Sequence, residues 1–264
     1  MSVILRAGLY LFILLFSNYL FAKCSKEQTV YVGIGATWPP YVMYQQDRAF
    51  GLEVDISRRV FQKAGYCVEF VRLPTTDRAI KELSIGLVDI LPSSSFNLER
   101  EKIAAFTEPY RRERMRLFTH LPIEPIESLD VLFEQAMSFV INPGAFYGDE
   151  FDHHFKKDAN KGLFAFVKSI RQRMSMVDLK RVEFLVEDEM AGLYYFSTYQ
   201  GNNIKLHPYV VNDNAIHFML NRERFSDKEI SNINDTIVKL EKDISAIIKR
   251  YTTSSSTLNI SQVN

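Results

Sequence analysis

The sequence predicts an α/β protein built on open sheets of largely parallel strands. Three short apolar and β-branched segments, 29–34, 67–73 and 85–88, alternate with two segments of helical spacing, 52–64 and 76–83. Strand, helix, strand, helix, strand is the pattern of an open parallel sheet. Ligands of such sheets bind beyond the carboxyl ends of the strands. The loops that follow the strands are therefore where a site is expected.

The loop after the first strand is Gly-Ala-Thr-Trp-Pro-Pro-Tyr, residues 35–41, and it holds the chain's one tryptophan. Glycine and proline favour an irregular loop here. A large aromatic face gives wide contact at low entropic cost, so Trp38 is predicted to form a stacking wall for a ligand. The alternative interpretation is that Trp38 only fills space in the packing of the protein.

A cluster of donors follows the third strand. Three serines, Ser93 to Ser95, are followed by Asn97, which is predicted to cap a helix, and by Arg100 near the start of that helix. Hydroxyl groups, free N–H groups at a helix start and a guanidinium all suit a carboxylate or another oxyanion. The alternative is an ordinary strand–turn–helix connection with an incidental surface arginine.

The rest of the chain repeats the alternation. Residues 111–119 form an extended segment with four arginines and Glu113, which favours a solvated strand. Helices are expected at 129–135, 149–157, 163–172, 176–180 and 191–196, and extended segments at 138–142, 182–186 and 206–220. Ser226 and Glu229 form a capping box that opens a helix with its isoleucines on one face, through Ile248.

The two ends are expected to lie outside the fold. Arg6 is the only charge in residues 1–22, and an apolar run precedes Ala22, which is typical of a cleaved signal peptide. An uncleaved N-terminal anchor is the alternative. Residues 252–264 are rich in Ser and Thr and are predicted to be a disordered tail.

Composition excludes one class of partner. The chain has 32 basic and 32 acidic residues, so nucleic acid binding has no electrostatic support. No cofactor or metal ion is expected.

The two cysteines fit an exported protein. Cys24 precedes the first strand and Cys67 opens the second, so parallel neighbouring strands would place both at one sheet edge. A disulfide between them is predicted, with two reduced buried thiols as the alternative.

Four motifs together resemble one known family. They are Gly-Leu-Glu-Val-Asp-Ile at 51–56, Gly-Leu-Val-Asp at 86–89, the spacing from Ser95 to Arg100, and Phe-Thr-Glu-Pro-Tyr at 106–110. On these motifs the chain is similar to the periplasmic solute-binding proteins of family 3, which serve ABC transporters of polar amino acids. The resemblance extends from about residue 30 to 251, and Phe61 departs from it by being larger than usual.

The resemblance implies a type II periplasmic binding protein fold, in which two α/β lobes with open mixed sheets are joined by two crossing strands. Lobe one would comprise residues 23–117 and 206–251, and lobe two residues 118–205. It also implies a periplasmic, monomeric, non-enzymatic protein that closes on a small ligand, an amino acid or a related compound, and delivers it to a membrane ABC permease.

The resemblance also implies the roles of the site residues. Arg100 and Ser95 would bind the ligand's α-carboxylate, completed by N–H groups after Gly144, while the carbonyl near Ser93 and the acid Asp188 would hold the α-ammonium. Trp38, with Tyr41 nearby, would cover the ligand. The chain departs from the family at Gly35, where some members carry an acid, and at Ala145 and Phe146, which replace hydroxyl residues.

Two other functions use the same scaffold. One is a sensor subunit that reports ligand to a membrane partner. The other is a periplasmic dehydratase, for which Glu187, Asp188 or His217 could be proposed as the acid or base, although no constellation singles one out.

Overall fold

A computed structural model describes residues 24–198 and 203–254 of the 264-residue chain. The expected signal peptide, 1–22, and residues 255–264 of the expected tail lie outside the described residues. The other tail residues, 252–254, end a helix rather than a disordered segment. No helix within the described ranges is long and apolar enough to cross a membrane.

The first half of the fold is a parallel sheet with β1 at its centre. β1 (Thr29–Ile34) pairs in parallel with β4 (Cys67–Arg72) on one side and with β5 (Ile90–Ser95) on the other. A hairpin of β2 (Met43–Gln45) and β3 (Arg48–Phe50) precedes α1 (Leu52–Lys63), and α2 (Thr76–Ser84) connects β4 to β5. This is the strand–helix alternation that the sequence predicts, except that the third strand comprises residues 90–95 rather than 85–88, so Ser93 to Ser95 lie in the strand and not after it.

The start of α1 fixes the loop that carries Trp38. The N–H groups of Leu52 and Glu53 donate hydrogen bonds to the carbonyls of Pro40 and Tyr41, at 3.0 and 3.1 Å. Gly51 has a φ of 127°, and a Cβ at this position would collide with the Tyr41 carbonyl. A glycine is therefore required for the loop to approach the helix this closely.

Two long antiparallel strands run through both halves of the molecule. β7 (Arg111–Thr119) pairs along its length with β11 (Lys205–Leu220), and the far end of β11 pairs with β5. The short α3 (Leu98–Glu101) and β6 (Ala105–Phe106) lie between β5 and β7 along the chain.

The second half is a sheet in the order β7, β10, β8, β9. Its strands are β8 (Phe139–Ile141), β9 (Phe164–Phe166) and β10 (Phe184–Asp188), and its helices are α4 (Asp130–Glu134), α5 (Asp149–Phe155), α6 (Ile170–Asp178) and α7 (Glu189–Thr198). Stacked and edge-on aromatic rings fill its core: Phe133, Phe139, Phe151, Phe164 and Phe184. The two halves, which we call the first and the second lobe, meet along β7 and β11.

Two helices close the described chain against the first lobe. α8 (Asp227–Lys239) begins at the predicted capping box of Ser226 and Glu229, and α9 (Glu241–Ser254) follows. Arg250 of α9 forms an ion pair with Asp55 of α1, at 2.6 Å. The apolar face predicted as one helix is thus divided in two, with the break at Leu240.

Two further sequence predictions are wrong in detail. Residues 163–172 do not form one helix, because a 3₁₀ turn ends at Leu163, the aromatic strand β9 pairs with β8, and α6 starts after Ser169, whose hydroxyl accepts from Gln172 N–H. The segment 111–119 is extended as predicted but is not simply solvated, since Arg111 and Glu113 are buried. In both cases pairing with a distant strand decides the outcome.

The predicted disulfide is confirmed. Cys24 and Cys67 are bonded, with their Cα atoms 6.1 Å apart and a sequence separation of 43 residues. The Cys67 N–H also donates to the carbonyl of Gln28, just before β1. The bridge therefore fixes the first described residues to the edge of the parallel sheet.

Removing this bridge should destabilise the protein. A double Cys24→Ser, Cys67→Ser variant frees a loop of this length in the unfolded chain, which costs about 4 kcal/mol in the chain-entropy model. Urea denaturation measures the loss. A free energy of unfolding within about 0.5 kcal/mol of the unmodified protein would contradict a stabilising role.

Candidate functional site

A cavity of about 210 Å³ lies between the two lobes, at the carboxyl ends of β1 and β5. The first lobe lines it with the loop after β1, the start of α2, the serines of β5 and Arg100. The second lobe contributes the turn after β8, the start of α6 and Glu187, and β7 contributes Glu113 and Met115. Both lobes and a strand that joins them thus form its walls.

Arg100 presents a guanidinium to this cavity. Asn97 caps the short α3 by accepting a hydrogen bond from Arg100 N–H at 2.9 Å. The guanidinium donates to the carbonyl of Ser95 at 3.0 Å and to the carbonyl of Gly144, in the second lobe, at 3.4 Å. Burial lowers the pKa of Arg100. Arg100 forms no ion pair within the described chain, and the acids Glu113, Asp152 and Asp77 act on it from a longer distance, so an anion can still bind here.

The serines of β5 form the wall beside this arginine. Ser93 has a φ of 54°, and its N–H donates to the Tyr110 hydroxyl at 2.8 Å. Its own hydroxyl accepts from Arg111 at 3.3 Å. Ser95 is buried and lines the cavity next to Arg100.

Two stacked aromatic rings connect the lobes. Trp38 lies 4.2 Å from Tyr41, centroid to centroid, and lines the cavity. Its indole N–H donates to Glu187 of the second lobe at 3.2 Å. Tyr41 is buried behind Trp38 and donates from its hydroxyl to Asp188 at 2.8 Å.

Asp188 is already engaged within the protein. Besides the Tyr41 hydroxyl, it accepts the N–H of Ala191 at 2.8 Å, and its exposed fraction is 2%. It does not line the cavity, whereas its neighbour Glu187 does. Burial raises the pKa of Asp188 to about 6.

Gly144 lies in the turn after β8, opposite Arg100. Its φ is 76°, and a Cβ would collide with the carboxylate of Asp77 at the start of α2. The two lobes therefore approach closely at this turn.

Of the seven predicted binding residues, the structure brings Trp38, Ser93, Ser95 and Arg100 onto the cavity wall, and Tyr41, Gly144 and Asp188 immediately behind it.

A buried charged group that the sequence analysis missed supports this wall. Arg111, on β7, donates to the carboxylate of Glu53, on α1, at 2.6 Å, and both side chains are almost completely buried. The guanidinium also lies 4.6 Å from the centre of the Tyr41 ring. Arg112, Arg114 and Arg116 recur at every second position of β7, and this is the sequence signal that could have placed Arg111 on the opposite, buried face.

Glu113 is the second residue that the sequence analysis did not assign to the site. It lies two positions after Arg111 on the same face of β7 and lines the cavity with an exposed fraction of 4%. Burial raises the pKa of Glu113 to about 8. The cavity therefore holds a cationic group and a titratable acid.

The fold and this cavity define a class of protein: a two-lobed binding protein of the type II periplasmic kind. An ancestral arginine-binding protein bound to arginine superposes with a TM-score of 0.71 at 20% identity, covering 85% of this chain and 98% of that one. The GluR0 ligand-binding core in complex with L-glutamate gives 0.71 at 21%, covering 86% and 100%. At these identities the likeness shows the fold.

The chain belongs to the bacterial extracellular solute-binding proteins, family 3, which it matches over residues 30–254. A relative in Haemophilus influenzae, described as a probable amino-acid ABC transporter-binding protein, is 24% identical over 190 residues, which is 70% of this chain and 69% of the relative. The family predicted from the sequence motifs is therefore confirmed.

Breaking the buried pair should destabilise the fold. Glu53→Gln leaves the Arg111 guanidinium buried opposite a neutral amide, which is expected to cost about 3–5 kcal/mol. Urea denaturation checks this value. Glu69→Gln on the exposed face of β4 is the matched control and should change the free energy of unfolding by less than about 0.5 kcal/mol. Equal effects of the two substitutions would contradict the structural role of the pair.

Proposed function

We propose that the protein captures an amino acid in the cavity between its lobes and delivers it to an ABC permease. The observation that carries the proposal is the Arg100 guanidinium, which is held on the cavity wall by two backbone carbonyls and forms no ion pair among the described residues. A planar guanidinium binds a carboxylate through two parallel, charge-assisted hydrogen bonds. The α-carboxylate is thus the group that Arg100 and Ser95 bind.

The remaining walls suit a small, partly apolar molecule. Trp38 and Phe146 provide aromatic surface, and Leu91, Met115 and Ile170 provide aliphatic surface. Apolar walls with a few convergent polar groups are typical of small-molecule sites. The mixed lining does not favour one amino acid side chain over another.

Ligand binding would favour closure of the lobes, with residues 23–117 and 206–251 in one lobe and 118–205 in the other. Three hydrogen bonds join the lobes across the cavity. They run from Arg100 to the Gly144 carbonyl, from Trp38 to Glu187 and from Tyr41 to Asp188. A ligand that touches both walls binds the closed form more tightly, and this difference in affinity shifts the population. Closure is the signal that a permease could recognise.

Export and transport are supported by the family and by the relative. The family consists of extracellular proteins, and the Haemophilus influenzae relative is described as a probable amino-acid transporter-binding protein. We therefore place the protein in the periplasm, acting with a membrane permease and without catalysis.

A screen of the twenty protein L-amino acids by thermal shift tests the proposal. The melting temperature should rise with the concentration of at least one of them, following RT ln(1 + [L]/Kd). If no amino acid raises the melting temperature at millimolar concentration, the proposal that the protein binds an amino acid is wrong.

The Arg100→Ala variant tests the carboxylate site. Loss of a buried charge-assisted contact costs about 2 kcal/mol or more, so the affinity for the best amino acid should fall at least about 30-fold by calorimetry. Arg48→Ala, at an exposed position of the β2–β3 hairpin, is the control and should bind as the unmodified protein does. An unchanged affinity in Arg100→Ala would remove this residue from the site.

A further inference from the structure

We propose that Glu113, rather than Asp188, binds the ammonium group of the ligand. The inference rests on the proposed function, because it assumes that the ligand's carboxylate lies on Arg100. It assigns the negative end of the site to one of the two strands that join the lobes.

The pleat of β7 aims Glu113 at the cavity. Along this strand Arg111, Glu113 and Met115 are buried, while Arg112 and Arg114 are exposed. Alternate residues of a strand point to one face. Glu113 and Met115 both line the cavity, so this face of β7 forms part of its wall.

The side-chain carboxylate of Glu113 accepts no hydrogen bond within the described chain. Its nearest cation is the Arg111 guanidinium at 3.9 Å, which is beyond hydrogen-bond distance. That guanidinium already donates to Glu53 at 2.6 Å and to Ser93 at 3.3 Å. A buried carboxylate with no donor is costly, and a ligand that brings a donor removes that cost.

The other acids near the cavity already accept hydrogen bonds from the protein. Glu187 accepts from the Trp38 indole and forms an ion pair with Arg173. Asp188 accepts from both the Tyr41 hydroxyl and the Ala191 N–H through its Oδ1 atom. Glu113 lines the cavity, whereas Asp188 does not.

The surrounding charges determine how Glu113 holds a proton. Arg111 faces it from β7, Glu53 from α1, Glu187 and Asp188 from β10, and Arg100 from α3. Because burial and three nearby acids outweigh the arginine, the pKa of Glu113 rises to about 8. The carboxyl group is thus largely protonated at pH 7 while the site holds no cation.

Binding of an ammonium group then releases a proton. The neutral carboxyl ionises against the ligand's cation, its proton passes to the buffer, and the ligand keeps its own ammonium protons. The affinity of the protein for the amino acid should therefore rise as the pH rises from about 6 to 8, and it should level off above the pKa of Glu113.

Calorimetry in two buffers of different ionisation enthalpy tests the proposal. The probes are the amino acid that ranks first in the thermal-shift screen and its desamino analogue, the same carboxylic acid without the amine. For the unmodified protein at pH 7, the amino acid should release close to one proton, and the desamino acid should release none.

Glu113→Gln keeps the shape of the protonated carboxyl but cannot ionise. It should weaken binding of the amino acid by at least about 30-fold, abolish proton release, and leave binding of the desamino acid unchanged. Glu113→Asp retains an ionisable group and should restore proton release. Circular dichroism melts establish that each variant is folded, and Glu113→Asp provides the test should Glu113→Gln not fold.

The outcomes separate this inference from the proposed function. If amino acids bind and Arg100→Ala loses them while Glu113→Gln retains both affinity and proton release, only the role of Glu113 is wrong. The role of Glu113 is also wrong if proton release disappears in the Asp188→Asn variant and persists in the Glu113→Gln variant. If no amino acid binds the unmodified protein, the proposed function fails and this inference falls with it.

Discussion

The buried ion pair between Glu53 and Arg111 is the interaction on which the site depends. It joins α1 of the first lobe to β7, the strand that continues into the second lobe. The same guanidinium reaches Ser93 on the cavity wall and lies over the ring of Tyr41. A buried pair is weak evidence for stability as such, but removing one partner leaves an uncompensated charge. The position of β7 relative to the first lobe is therefore strongly specified.

This position determines what β7 offers to the cavity. Since Arg111 points inward, Glu113 two residues later must also point inward, and a shift of one residue would bring Arg112 and Arg114 to the cavity instead. The pairing of β7 with β10 and β11 fixes the same orientation of its side chains, because both strands pair with β7 along its second half. A structural ion pair thus places a carboxylate in the cavity.

The cavity combines opposite charges supplied by separate elements. Arg100 belongs to α3, the short helix after β5, and Glu113 belongs to a crossing strand. Tyr41 and Trp38 reach over the cleft to the two acids at the end of β10. These aromatic contacts hold the lobes together and place the Tyr41 hydroxyl on Oδ1 of Asp188, the acid that the family resemblance assigns to the ligand. Glu113 lines the cavity and accepts no hydrogen bond within the described chain.

Local patterns were sufficient for much of this structure. The alternation of the first lobe, the cap at Asn97, the capping box at Ser226 and the disulfide all depend on short-range chemistry or simple sheet geometry. Of the wall residues, Trp38 and Arg100 follow strands and Ser95 ends one, which is where such sites form. The prediction was wrong at 164–166, which form a strand because β8 is available for pairing, and at Leu240, where the helix predicted as one is divided into α8 and α9.

The charged face of β7 could not be read from composition. Four arginines in nine residues indicate solvent exposure, and only the buried Glu53 of another element explains why Arg111 points inward. Similarly, the motif around Asp188 gives no sign that Tyr41 reaches it across the cleft. The Arg111–Glu53 pair and the Tyr41–Asp188 hydrogen bond are both tertiary contacts, and both determine which groups a ligand can contact.

A crystal structure of the protein with the amino acid that ranks first in the screen tests the central claim most directly. The account predicts carboxylate oxygens about 2.7–2.9 Å from the Arg100 guanidinium and the ammonium nitrogen at a similar distance from the Glu113 carboxylate. Tyr41 should remain bonded to Asp188. An ammonium bound to Asp188, or an amino acid bound outside this cavity, would contradict it.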